Sequence, residues 1–205
     1  MGRTSDANER LMQAALDLVW EESYGSVTID DICKRAEVKK GSFYYFFQSK
    51  ADLAVAALEK MWQEEWKPNM DRQFSPSMRP MERIESYLEF LYQCQAESQQ
   101  KHGKILGCAV NSLASEVSPQ EEAERISGKL REILNRKLRY YESTIRDAVA
   151  DGEIEPCDAK EAAQAFAGFL EGVICQARIM NDLGVLKSMP ALARNLLRAK
   201  EPQPA

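Results

Sequence analysis

The run Phe43-Tyr44-Tyr45-Phe46-Phe47, enclosed by Lys39, Lys40 and Lys50, sets five aromatic rings in a row between basic ends. Only one regular backbone sorts them. At the two-residue period of a strand, Phe43, Tyr45 and Phe47 share a face and Tyr44 and Phe46 take the other, so plain and hydroxyl-bearing rings stay mixed. At the helical period Phe43, Phe46 and Phe47 fall together, and Tyr44 and Tyr45 turn the other way, beside Lys40 and Ser42. The spacing therefore predicts a short helix that is anchored by its phenylalanines and shows its tyrosines.

The same period runs along the rest of the chain. Leu11, Ala14, Ala15, Leu18 and Val19 mark a first helix from about Asp6 to Glu22. Gly25 breaks it. Thr28 and Asp31 have the spacing of a capping box, which opens a second short helix with Ile29, Ile32 and Ala36 inward. The third helix runs from Lys40 through Phe46. Ser49 and Asp52 cap a fourth, carried by Leu53, Ala56 and Ala57 as far as Trp66. The stretch KPNMDRQFSPSMRP, with three prolines and no periodicity, is expected to be a connector.

Longer helices follow. One is marked by Ile84, Tyr87, Leu88, Leu91 and Tyr92, and KILGCAVNSLASE marks another. Glu121 to Ala150 makes a long one that stops at Asp151-Gly152. Asp158 and Glu161 cap the next, which carries Ala162, Phe166, Phe169, Leu170, Val173, Ile174 and Ala177 on one side. Pro190 to Ala199 is the last, and Glu201–Ala205 reads as a frayed tail. No segment alternates like a strand. The expected fold is all-α: a three-helix helix-turn-helix domain over residues 1–50, and a helical ligand-binding and dimerisation domain over residues 51–205. Helix four, about 50–66, links them.

Charge narrows the function. The whole chain carries −5, yet between Lys34 and Lys50 five basic residues face one acid, Glu37. A local basic patch on an acidic body suits an anionic partner, double-stranded DNA above all. Enzyme chemistry has little to stand on. There is one histidine, His102, the five cysteines form no C-x-x-C pair, and no P-loop, G-x-S-x-G or H-E-x-x-H occurs. Neither a cofactor nor a bound metal is expected. The cysteine pattern fits a reducing, cytoplasmic setting, and no apolar stretch is long enough to involve a membrane.

The segment TIDDICKRAEVKKGSFYYFFQSKADL resembles the helix-turn-helix of the TetR family of bacterial transcriptional regulators, with the match spanning about Arg10 to Leu58. Two departures stand out: Cys33 takes a usual alanine position, and Glu37 takes the frequent turn glycine. The resemblance implies DNA-binding roles for Thr28, Lys39, Lys40, Gly41, Ser42, Tyr44, Tyr45 and Lys50. Thr28 would offer its hydroxyl to a phosphate, Lys39 and Lys40 would neutralise backbone charge, Gly41 would permit close approach, and Lys50 would be a phosphate contact. A homodimer is implied too, reading a near-palindrome with two recognition helices about 34 Å apart.

For the second domain the resemblance implies a small-molecule effector of unknown identity and a two-fold interface. GCAVNSLASE resembles a segment of the electrophile-responsive, NemR-like branch, in which the cysteine matching Cys108 is the reactive thiol. A buried structural cysteine is the alternative. Asn111 is read as a polar residue on a buried helix face. Trp66, Tyr87, Leu91, Phe166 and Phe169 are candidate cavity residues, and Phe169, Gly172, Val173 and Ala177 are candidates for the dimer interface. The function implied is a ligand- or electrophile-responsive DNA-binding regulator, a repressor in the first reading. The second reading is a regulator with no small-molecule sensor, acting as an activator or under a protein partner.

Overall fold

The computed structural model describes the backbone of residues 3–117 and 121–200, with ten α-helices and no named strand among them. Glu201–Ala205, expected to fray, lies outside the described residues. The helices are α1 (Arg3–Glu21), α2 (Ile29–Arg35), α3 (Lys40–Phe46), α4 (Lys50–Met61), α5 (Lys67–Gln73), α6 (Pro80–His102), α7 (Ala109–Glu116), α8 (Glu121–Ala150), α9 (Ala159–Met180) and α10 (Met189–Leu196). They sort into two compact units. The first holds Met1–Trp66 with Ala109–Ile133, and the second holds Lys67–Cys108 with Leu134–Ala205.

In the first unit α1 supplies Leu11, Ala15 and Leu18 to a core shared with Val27, Ile32, Phe43, Phe47, Leu53 and Ala57. Phe43 is fully enclosed and Phe47 nearly so, while Phe46 packs against the same core partly buried. Burial of each such side chain contributes about 1.5–3 kcal/mol, enough to hold a seven-residue helix that would not persist alone. Lys129 of α8 bonds Glu59 of α4 at 3.1 Å.

The second unit is built on α6, the later part of α8, α9 and α10, around Ile84, Tyr87, Leu88, Tyr141, Ile145, Phe166, Leu170 and Ile174. Buried Arg83 is satisfied by Asp147 at 2.6 Å and by the Met78 carbonyl at 2.8 Å. Glu153 receives the Arg79 guanidinium at 2.7 Å and the Met81 N–H at 2.8 Å.

Three sequence expectations need correction. The connector is helical at first: α4 passes through a π-helical turn, Trp62–Trp66, straight into α5. Proline in a helix loses one hydrogen bond and crowds the carbonyl four residues back, and a widened turn just ahead of Pro68 relieves both. Met70 and Phe74, four apart and buried, are the periodicity that three prolines hid. Next, KILGCAVNSLASE begins as a non-helical strap, and α7 starts only at Ala109. Gly107 has φ 81°, and Gln95 brackets it, accepting from its N–H at 3.0 Å and donating to its carbonyl at 3.4 Å. Finally, α10 is preceded by a 3-10 stretch, Leu183–Ser188, for which sequence periodicity gave no cue.

Candidate functional site

Each element of the N-terminal motif is tied at its ends. Thr28 donates its N–H to Asp31 Oδ2 at 2.9 Å and its hydroxyl to the same oxygen at 2.5 Å, and accepts the Asp31 N–H at 3.2 Å. The expected capping box is complete. It also commits the Thr28 hydroxyl proton to Asp31 rather than leaving it for a phosphate. The Thr28 hydroxyl and N–H together hold the Asp31 carboxyl below its ordinary 3.8.

The turn between α2 and α3 is a Schellman closure. Val38 N–H reaches the Cys33 carbonyl at 2.9 Å and Glu37 N–H the Lys34 carbonyl at 3.2 Å, with Glu37 at φ 54°. The glycine-preferring conformation is therefore real, and a glutamate occupies it. Arg10 of α1 donates to the Ala36 carbonyl at 2.9 Å, across 26 residues of sequence, and fixes the same turn.

On α3 the aromatic run divides as its spacing predicts. Tyr44 is 55% and Tyr45 75% exposed, against 0% for Phe43 and 8% for Phe47. Tyr44 stands edge-on to Phe43 at 5.2 Å between ring centres, and Tyr45 edge-on to Phe46 at 4.9 Å. Lys39 is exposed at the N-cap and makes no side-chain cap bond. Lys40 bridges to Asp30 at 2.9 Å, a hydrogen-bonded pair that raises its ammonium pKa. Both partners are exposed, so the bridge is weak and readily exchanged for a phosphate. A Cβ added at Gly41 would meet nothing within 4 Å, so nothing among the described residues requires glycine there. Ser42 is half-buried, its N–H bonded to the Lys39 carbonyl at 2.8 Å.

Lys50 is placed differently from expectation. Its ammonium turns inward, donating to the carbonyls of Tyr24 at 2.7 Å and Val27 at 2.8 Å, and lies 4.1 Å from the centre of the Tyr24 ring. Two carbonyls and a π face satisfy the charge inside the protein, and the lysine pins the loop leading into α2. The same loop is held by Glu116 of α7, which accepts the Gly25 N–H at 3.1 Å from 91 residues away. Glu116, a polar residue on a helix expected to be buried, and Arg10 and Tyr24 make contacts that carry no sequence signal, because their partners lie 26 to 91 residues away.

The second-domain candidates separate. Asn111 is exposed on α7, not a buried polar residue, because α7 buries the face of Leu113 and a residue two positions away on a helix points to the opposite side. Asn111 and Trp66 belong to the first unit, while Cys108, Tyr87, Leu91, Phe166 and Phe169 belong to the second. In that second unit Tyr141 donates to the Tyr87 hydroxyl at 3.0 Å, in the buried core, and meets Phe166 edge-on at 5.2 Å. Burial pushes both phenols up, Tyr141 well above its ordinary range. Burial pulls the Lys137 ammonium down, but the acidic groups of Cys108, Tyr87 and Glu171 outweigh it and leave the pKa raised. Among the described residues no hydrogen-bond partner meets the buried Glu171 Oε2.

Of the interface candidates, Val173 and Ala177 are buried in the core of their own unit. The face that α9 leaves open carries Ala165, Gly168, Gly172, Cys175 and Ile179, with Ile179 77% exposed. The apolar stripe on α9 is wider than one face, and burial alone decides which half stays inside.

Comparison with known proteins gives two family matches. "Bacterial regulatory proteins, tetR family" covers residues 11–57, and "Tetracyclin repressor-like, C-terminal domain" covers residues 80–190. The chain is 31% identical over 177 residues to the transcriptional regulator AcuR of Cereibacter sphaeroides, spanning 84% of this chain and 77% of that protein. It is 25% identical to the HTH-type transcriptional repressor NemR of Escherichia coli over 94% of each. Among solved structures, the regulatory protein TetR from Rhodobacter sphaeroides superposes with a TM-score of 0.78 at 29% identity, covering 93% of this chain and 98% of that one. The reduced form of E. coli NemR shares the fold at a TM-score of 0.81 and 23% identity, covering 96% and 100%.

Proposed function

Because the chain belongs to the TetR family and is a DNA-binding transcriptional regulator, we propose that it works as a homodimeric repressor, released from its operator by a small molecule or an electrophile. The observation that carries the DNA-binding half is the split on α3: the phenylalanines hold the helix while Tyr44 and Tyr45 stand clear beside Lys39, Lys40 and Gly41. Tyrosine hydroxyls reach phosphates or base edges, and the rings reach thymine methyls. Lys50 acts one step back, by fixing the loop that leads into α2.

Responsiveness is supported by the second unit's interior. Buried Tyr87 and Tyr141 form a polar pair in an otherwise apolar core, and the half-buried Lys137, Cys108 and Glu171 act on them electrostatically. Such a constellation fits a polar effector or an activated thiol. Dimerisation is supported by the open α9 face with Leu192 and Leu196 of α10, 43% and 41% exposed.

The test is operator binding measured on a site selected from random duplexes. Tyr44→Ala is expected to weaken binding to every sequence, while Ser42→Ala and Tyr45→Ala change the preferred sequence. Affinity should fall steeply with salt, as phosphate neutralisation requires. N-Ethylmaleimide should release operator from the natural chain and not from Cys108→Ser. Release that is identical in both would remove Cys108 from the sensor and leave the reading without a thiol switch.

A further inference from the structure

The two lysines that open α3 are not equivalent. Lys39 is exposed and makes no ion pair among the described residues. Lys40 is held by Asp30 of α2: its ammonium lies 2.9 Å from one carboxylate oxygen and 3.0 Å from the other. The pair joins the first turn of α2 to the start of α3 and stands one helical turn from the exposed Tyr44 ring. Both side chains are largely in solvent, 54% exposed for Lys40 and 68% for Asp30, and neither belongs to the core. Packing therefore gives no reason for an acid at this spot, beside the residues that would meet phosphates.

We propose that Asp30 is a built-in competitor of DNA at Lys40, which lowers the affinity of the binding face for any duplex. The inference rests on α3 being the helix that meets DNA. One ammonium carries one charge, so it cannot neutralise both a carboxylate and a phosphate. If Lys40 moves to the phosphate, Asp30 is left unpaired next to a polyanion. If Lys40 stays, the phosphate is not neutralised. Asp30 cannot withdraw either, because the Thr28–Asp31 capping box fixes the turn that carries it. Lys39, with no such partner, delivers its whole charge. The part of DNA binding that is independent of sequence is electrostatic, so that is the part Asp30 reduces. Contacts of Tyr44 and Tyr45 with base edges are left alone.

The test measures binding of the whole chain to a random-sequence duplex and to the selected operator, by fluorescence anisotropy across a salt series. Asp30→Asn is expected to tighten both about threefold to fivefold per bound subunit at low salt. It should also steepen the salt dependence by about one counterion per subunit. A merely structural role predicts the opposite sign, because an acid favours the N-terminus of α2 and its loss would loosen the motif. Two backgrounds separate the bridge from a general change of charge: the gain should vanish in Lys40→Gln and persist in Lys39→Gln. Unchanged or weaker binding by Asp30→Asn, or an equal gain in both lysine backgrounds, would overturn the proposal. Tyr44→Ala tells its failure from that of the reading beneath it. If Tyr44→Ala weakens binding while Asp30→Asn changes nothing, the competitor fails and α3 keeps its role. If Tyr44→Ala and Lys40→Gln both leave affinity intact, α3 does not face DNA and both readings fall.

Discussion

Glu37 shows how a single residue can be legible and still carry strain. Its place at a usual turn glycine is readable from the motif, and its φ of 54° confirms the left-handed backbone. Glu37→Gly is expected to stabilise the chain by about 1 kcal/mol, read as a raised urea midpoint at unchanged slope. Lys50 is the opposite case. Motif matching gives a phosphate contact, yet the ammonium faces two carbonyls, 23 and 26 residues away. No local pattern encodes those partners. Lys50→Met should therefore cost about 2 kcal/mol of stability in the absence of DNA, a loss that urea titration would detect and that a purely phosphate-contacting lysine would not show. Asp31 supplies a pH dependence. Its folded pKa is depressed, so its contribution is fully present above the ordinary 3.8 and is lost as pH falls through the lower folded value. Asp31→Asn should flatten the acid limb of stability in that window.

Among the elements, α3 was readable from its aromatic spacing because buried and exposed rings differ in chemistry as well as position. α5 was not. Three prolines mask a helix that Met70 and Phe74 anchor, and the π turn that admits Pro68 has no signature that periodicity detects. The strap before α7 is a second miss with a clear physical cause. Its backbone is satisfied by side chains of α6 and by Asn181: Ser98 Oγ accepts the Leu106 N–H at 3.3 Å, and Asn181 Oδ1 accepts the Ile105 N–H at 3.0 Å. Those acceptors compensate for the helix that KILGC does not form. Gly107 is the sharpest probe of it. Alanine there would hold φ at 81° and place its Cβ 3.1 Å from Arg178 Cδ. Gly107→Ala is expected to lose about 1–2 kcal/mol, measured by chemical denaturation.

For the molecule as a whole, the open side of α9 is the feature with the largest consequence. Small residues at 165, 168 and 172 let a second backbone approach closely, and Ile179 adds an apolar end. Ile179→Glu would place charge in the proposed dimer contact. Sedimentation should then report a monomer, and operator affinity should drop as the two recognition helices lose their fixed pairing. A dimer that persists unchanged would move the interface elsewhere.

Local sequence was enough to set the helical class, the caps at Thr28, Ser49 and Asp158, and the side of α3 that faces outward. Each of these depends on residues within a turn or two of one another, where the 3.6-residue period and side-chain chemistry suffice. Packing in three dimensions was needed to turn Lys50 inward, to expose Asn111, and to bury Val173 and Ala177 in their own core while Gly168 and Gly172 stay open. Those outcomes turn on which distant backbone atoms or packed neighbours occupy the surrounding space, and local periodicity carries no information about that space.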